Sequence, residues 1–344
     1  MGKFSFWAEG LVKCYNLILV LCESLCAKAQ VLTFAVLLLI LFSTQAQAGD
    51  IVYGKNSKLK GESLAVPYFK KLAASVMLKA SGDTALVKGS DFVKSIDKMD
   101  FWEREDLIAD VVLKGNVPNQ LKSFRKIVYR TSVVDTVGIL KEPHKVEIWV
   151  LPDYIAIGTD DDFVRMPMGP LAAQRIADSL DCILPTVFLV DRIAEVSEGH
   201  VDIFPFRPLG DRNCQPIVFQ DSNNAINALF KAYGYKFGEF ISGLKKDVVL
   251  TYKILTHPGY ENRVAIYGWH HPNGKITQPL YVKHVNLYVD YSHGIRMIYR
   301  KVKVDGIEYD AREILQSPEL YRLLSDEPVH LKKASYEGLP RFNF

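Results

Sequence analysis

Residues 263–298, RVAIYGWHHPNGKITQPLYVKHVNLYVDYSHGIRMI, set the architecture expected of the whole chain. Short β-favouring runs are broken at Pro272-Asn273-Gly274 and again near Ser292-His293-Gly294. That punctuation predicts strand, loop, strand, loop, strand. Four of the chain's eight histidines (His270, His271, His284 and His293) fall here. Asp290, Ser292, Arg296 and Trp269 lie among them.

Working outward, Asp247–Leu255, Arg263–Trp269, Ile276–Tyr281, Asn286–Tyr291 and Ile295–Val304 are strand-like, and Asp305-Gly306 is a hairpin turn signal. Upstream lies a helical block. Pro170 opens a helix with Ala173, Ile176, Ala177 and Leu180 on one face, and Thr186 can cap a second helix running to about Val196. Asp221 or Ser222 caps a third, whose predicted buried stripe is Ala225, Ile226, Leu229, Phe230 and Tyr233, ended by Gly234. Before the block, Lys126–Ser132, Lys145–Leu151 and Tyr154–Gly158 are β-rich, the last two predicted as a hairpin. Pro67–Ala80 has helical spacing. Strands and helices come in blocks, so the expected class is α+β, with a mostly antiparallel sheet in the C-terminal half after a helical block.

Near the start of the chain lies an apolar run, Val31–Ser43, preceded by Lys28 and followed by Ala46-Gln47-Ala48. This is the pattern of a signal peptide over 1–48, with an uncleaved membrane anchor as the alternative. Residues 49–122 form an N-terminal helical and extended region, and 123–344 the α+β domain with the site. A signal peptide implies a periplasmic or secreted protein that meets the membrane only through that segment if uncleaved. Removing the leader's three lysines and two glutamates takes the formal charge from +3 to +2. Without a clustered basic face, nucleic acid is not an expected partner. Cys182 and Cys214 remain, as one disulfide or as two buried thiols.

His293 beside Asp290 suggests a general acid or base, because Gly294 allows the strand to break and the two side chains to converge. His270, at a strand exit, and His284 would add a further base or metal ligands. A divalent metal such as zinc would rest on histidine density alone, since no H-E-x-x-H or C-x-x-C is present. Arg296 would hold an anionic group. Trp269, Tyr267, Tyr281 and Tyr288, with Gln278, could offer flat faces to sugars or simply be core. Ser292 or Cys182 as nucleophile is a weaker reading, because no G-x-S-x-G elbow is present and Cys182 suits packing. Lys245-Lys246-Asp247 could orient an anion or be a solvated loop. Asp160–Asp162 lacks calcium-loop spacing and is expected to be a turn.

The motifs LPDYIAIGTDDDFVRMPMGPLAAQRIAD, CILPT, GLKKDVVLT, VAIYGWH, QPLY and YVDYSHGIR resemble those of a family of exported bacterial proteins with no established activity. The resemblance covers about Lys145 to Asp326. It implies that the helical block and the β half form one unit and carries no catalytic assignment. Some cell-wall peptidases also pair a Trp-His with an S-H-x-x-G-type element. Here the order is reversed and their S-x-H-x-x-G-x-A-x-D spacing is absent, so their zinc site does not transfer. The expectation is an exported hydrolase of a cell-envelope or extracellular polymer, peptidoglycan or polysaccharide. The alternative is a non-catalytic envelope- or carbohydrate-binding protein.

Overall fold

A computed structural model describes residues 63–78, 86–133, 142–202, 205–206, 210–256 and 258–342. The leader and His257 lie outside the described residues. Among those described, no helix is long and apolar enough to cross a membrane.

The first half supplies strands β1 (Ser63–Ala65), β2 (Ser123–Thr131) and β3 (His144–Val150), then the short pair β4 (Ala156–Gly158) and β5 (Phe163–Arg165). Helices α1 (Pro67–Leu78), α2 (Gly89–Ile96) and α3 (Phe101–Leu113) lie between β1 and β2. The helical block follows, with α4 (Pro170–Ser179), β6 (Cys182–Ile183), α5 (Val187–Val196), β7 (Gly199–His200) and α6 (Pro216–Tyr233). After it come β8 (Ile241–Ser242), β9 (Lys246–Val248), α7 (Tyr252–Leu255), β10 (Ile266–His270), β11 (Ile276–Tyr281) and β12 (His293–Gly294). The chain closes with β13 (Ile298–Tyr299), β14 (Lys301–Val304), β15 (Ile307–Asp310) and α8 (Ala311–Gln316).

The class is α+β, with mostly antiparallel pairing. In the larger sheet β3 pairs with β2 along its length, and with β14 and β13 on its other edge. The expected single strand Ile295–Val304 is split into β13 and β14 at Arg300, whose Nε donates to Asp310 Oδ2 at 2.7 Å. Asp305 and Gly306 both take positive φ (52° and 88°), the two-residue turn anticipated between β14 and β15.

Four expectations fail locally, the first being the strand Asp247–Leu255, which ends at Val248 because the Thr251 hydroxyl caps a helix at Tyr252–Leu255. Residues 145–151 and 154–158 do not form a hairpin; β3 joins the large sheet and β4 pairs with β5. Strand pairing is decided across the molecule, and Leu151 and Ile155 donate instead to Met297 and Ile295. The helix placed at Asp221 starts at Pro216, which sits in the first turn where its missing N–H costs nothing, and Ser222 is buried inside it. Asn286–Tyr291 is not a strand. Its alternation of apolar residues imitates one, but Asp290 folds the chain into a turn: its carboxylate accepts from Ser292 N at 2.8 Å and Ser292 Oγ at 2.5 Å, while His293 N donates to Asp290 O at 3.1 Å.

Residues 63–122 are not a separate body. β1 pairs with β2, and α3 packs on α4, where Glu105 Oε2 accepts from Gly169 N at 2.6 Å. One hydrophobic cluster spans both parts, from Val66 to Tyr336.

Candidate active site

The smaller sheet has strand order β11-β10-β9-β12, with β12 parallel to β9 and the other pairs antiparallel. Lys246 stands beside both Gly268 and His293, and Asp247 beside Tyr267 and Gly294. Side chains in register share a face, so Lys246 and His293 look one way and Asp247 the other.

Regular alternation would place His270 on the face of Val264, Ile266 and Gly268. The structure breaks that alternation. Gly268 (φ 104°) and Trp269 (φ 62°) both take positive φ, and the β10–β11 register slips at a bulge there. Glycine adopts this backbone freely; tryptophan does so at a cost of order 1 kcal/mol. The indole is sent to the Lys246 face, where Lys246 Nζ lies 5.6 Å from its ring. His270 is sent back to the face of Tyr267 and Asp247, against α5. The sheet therefore separates the histidines: His293 and His284 on one side, His270 on the other.

On the His293 side, most of the residues expected to act together do meet. The rings of Tyr281, His284, Tyr288 and His293 follow one another at centroid separations of 4.8, 4.0 and 6.0 Å. Yet His293 is fully buried, and neither ring nitrogen has a hydrogen-bond partner. Asp290 does not orient it, because its carboxylate is engaged with Ser292 and, at 3.3 Å, with the Tyr288 hydroxyl. Ser292 is likewise committed to Asp290, which leaves it no role as a nucleophile. Burial raises Asp290, but His293, the Ser292 hydroxyl and Lys246 outweigh that and hold it below the ordinary range. An imidazole so enclosed has no route to a polymer, which removes His293 from the catalytic role expected of it.

The enclosure has a pH consequence. Burial first, then the nearby cations Lys245 and Lys246 and the ring of His284, against the opposing pull of Asp290, lower His293 from 6.5 to about 4. The unfolded chain takes up a proton below pH 6.5 that the folded chain refuses until about 4. Stability from this group is therefore complete above 6.5 and falls as pH drops toward 4, by about 3 kcal/mol in all. Asp247 and Glu105, raised to about 6 and about 7 chiefly by burial, act in the opposite sense over an overlapping window. The clean measurement compares variants. The stability lost by the wild type between pH 7 and 4.5 in urea titrations is expected to exceed that lost by His293→Gln by about 2 kcal/mol. Equal losses would show that His293 is protonated in the folded state.

Arg296 is not an open anion clamp. It is 1% exposed, donates to the carbonyls of Ile241 (2.6 Å) and Pro152 (3.3 Å), and stacks on Tyr154 at 4.6 Å. Tyr154 donates to Asp247 at 2.9 Å, so this face of the sheet is tied by a buried polar network. Lys245 is also buried, with Nζ donating to Tyr291 O at 2.5 Å. Burial, and then the Arg165 charge, lower it to about 7. Gly294 makes room for both residues, since a Cβ there would lie 2.5 Å from the Tyr154 ring and 2.8 Å from Lys245 Cβ. Gly294→Ala is expected to cost about 1–3 kcal/mol, read as a lower urea midpoint with an unchanged slope. A midpoint within error of the wild type would mean that the ring and lysine move aside freely.

The His270 side is different, because it opens into a cleft. Asp191, Ala194 and Glu195 of α5, His200 of β7, and His270, Pro272, Gly274 and Ile276 line a cavity of about 420 Å³. Asp191 Oδ1 accepts from the Tyr267 hydroxyl at 2.8 Å and meets His270 Nε2 at 2.9 Å. That contact assigns the ring proton of a neutral His270 to Nε2 and makes Nδ1 the acceptor. Glu195 Oε1 pairs with Arg192 at 2.8 Å, while its buried Oε2 has no partner. Its carboxyl is raised by burial, opposed by Arg192 and reinforced by Asp191. His200 is lowered, again chiefly by burial. An oriented imidazole and a carboxyl biased toward its protonated form therefore share one accessible hollow.

No protein-family model, curated protein or solved structure matches this chain.

His271 is locked by Asp202 (2.6 Å) and Thr277 (2.7 Å). Trp269 and Tyr267 are 3% and 7% exposed, too enclosed to present a ring face to a sugar. Gln278 lies across from Gly268 and donates to Pro279 O. Cys182 and Cys214 are unbonded thiols. Cys182 is buried with its pKa well above the usual value, and Cys214 is pushed up to about 11 by burial and then by Asp290. Neither has the electropositive setting that makes a thiolate. Among the described residues no group of three or more histidine, cysteine, aspartate or glutamate side chains is placed to hold a metal ion. The turn of His270 away from His284 and His293 is the reason the expected histidine set does not form.

Sequence reasoning missed Asp191, Glu195 and His200. A usable signal was present. Asp191 and Glu195 are like charges four apart on one helix, an arrangement that costs a few tenths of a kcal/mol without compensation.

Proposed function

We propose that the protein is an exported hydrolase acting on a cell-envelope or extracellular polymer, peptidoglycan or polysaccharide, with its chemistry in the His270 cleft. The observation that carries this is the Tyr267–Asp191–His270 chain of hydrogen bonds at the wall of an open cavity. Export is supported by the leader pattern in 1–48.

His270 Nδ1 takes a proton from a water molecule as that water attacks the electrophilic carbon of the scissile bond. Asp191 stabilises the imidazolium that results. Glu195, whose carboxyl is raised by burial, is the proton donor to the departing oxygen or nitrogen as the bond breaks. His270 then passes its proton to solvent and Glu195 takes one back, which resets both groups. Tyr267 fixes the Asp191 carboxylate, and the α5 backbone fixes both acids relative to one another.

The test is release of soluble fragments, followed as new reducing ends and new amino groups. The substrates are purified peptidoglycan sacculi and a panel of polysaccharides. Product from at least one substrate is expected. No product above blank from any of them would end the proposal.

A further inference from the structure

Tyr233 has a position that its helix alone does not explain. It closes α6 and was expected within the buried stripe, yet it is 51% exposed. Its ring is nonetheless held. Gly234 takes the left-handed conformation (φ 76°), and Tyr235 N donates to Phe230 O at 2.9 Å, a helix stop that turns the chain back on itself. The turn lays Tyr235 parallel to Tyr233, with centroids 5.8 Å apart and planes at 4°. Tyr235 in turn meets Phe230 edge-on at 6.0 Å, and Phe230 is 2% exposed. An exposed ring is thus anchored to the core through a second ring.

This surface touches the strand that borders the cleft. A Cβ on Gly199 would lie 2.2 Å from the Tyr235 hydroxyl, so that hydroxyl rests directly on the β7 backbone. The next residue, His200, lines the cavity. Lys231 and Lys236 are exposed on either side of the tyrosine pair, and Phe237 (43% exposed) follows.

We infer that Tyr233 is a stacking platform for a pyranose ring of a glycan chain that runs from the cleft across Gly199. This rests on the reading of the cleft as a polymer-hydrolase site and narrows its substrate to a carbohydrate backbone. The flat outer face of a tyrosine ring suits the C–H face of a sugar, while hydroxyls at the sugar's edge reach water and the lysine ammonium groups. Because Tyr233 is already held by Tyr235, binding orders little that was free, so the ring's contact area is available for affinity. A lipid or an apolar peptide would need a broader hydrophobic patch than these rings provide between charged neighbours.

The experiment uses the full chain in co-sedimentation with peptidoglycan sacculi, chitin and cellulose. The wild type is expected to bind at least one of them. Tyr233→Ala should weaken that binding about tenfold, the effect of one well-placed aromatic contact. Tyr233→Phe should bind like the wild type, and His270→Ala should bind like the wild type without releasing product. Binding of the wild type to none of the three, or Tyr233→Ala binding within twofold of it, overturns the platform. Tyr233-dependent binding with no product from the wild type keeps the platform and removes the hydrolase reading. Product from the wild type with unaltered Tyr233→Ala binding does the reverse.

Discussion

Asp191→Asn and His270→Ala are each expected to lower polymer turnover by roughly 10²–10⁴-fold, the usual range for loss of a positioned acid or base. The two act through different atoms. His270→Ala deletes the base. Asp191→Asn keeps size and shape but can present an N–H toward Nε2, which turns the ring's proton to Nδ1 and blocks the acceptor. Both should fold, since each side chain reaches the cleft and neither is sealed in apolar packing. Melting temperature followed by circular dichroism separates a chemical effect from an unfolding one. Glu195→Gln should lower turnover to a smaller degree on substrates with good leaving groups, because protonation of the leaving atom then matters less. Wild-type turnover in Asp191→Asn at an unchanged melting temperature would remove the cleft from the chemistry.

The second large effect concerns stability. Arg165 is fully buried, and its Nε and Nη2 grip the Asp153 carboxylate at 2.7–2.9 Å. Its Nη1 donates to Asn223 (3.1 Å) and Asn227 (2.8 Å), and Phe163 and Phe230 flank the guanidinium at 5.2 and 5.1 Å. Arg165→Met leaves Asp153 charged, buried and short of its partner. The expected cost is about 3–5 kcal/mol, measured from urea unfolding. Replacing both partners, Arg165→Met with Asp153→Leu, should recover most of that loss, because the penalty comes from the stranded charge and not from the absent pair. A single variant costing under about 1 kcal/mol would mean that water reaches Asp153.

How far the sequence revealed these features follows from the range of the interactions involved. The Pro170 helix, the Thr186 cap and the Asp305-Gly306 hairpin are local: a capping hydroxyl or a two-residue turn is decided within a few residues. Ile276–Tyr281 emerged with the bounds it was given. Asn286–Tyr291 reads as a strand because its apolar spacing is visible in the sequence, whereas the two hydrogen bonds by which the Asp290 carboxylate bends the backbone are not. His270, like Tyr267, is legible as a site residue, but its neighbours Asp191, Glu195 and His200 are not. Its face depends on the bulge at Gly268 and Trp269, and its partner lies 79 positions away in sequence. Nothing within the local segments of Arg165 and Asp153 shows that the two meet in the core, where Phe163 and Phe230 flank the guanidinium.

The reversal at Gly268 and Trp269 makes the spacing of β10 a matter of handedness between the two sides of a sheet. Were that segment to lengthen or shorten by one residue, an indole would swing into the hollow and the imidazole would move beneath Lys246. Such an insertion or deletion would leave strand pairing largely intact while exchanging the contents of two compartments. In this part of the chain, residue count is as decisive for chemistry as residue identity.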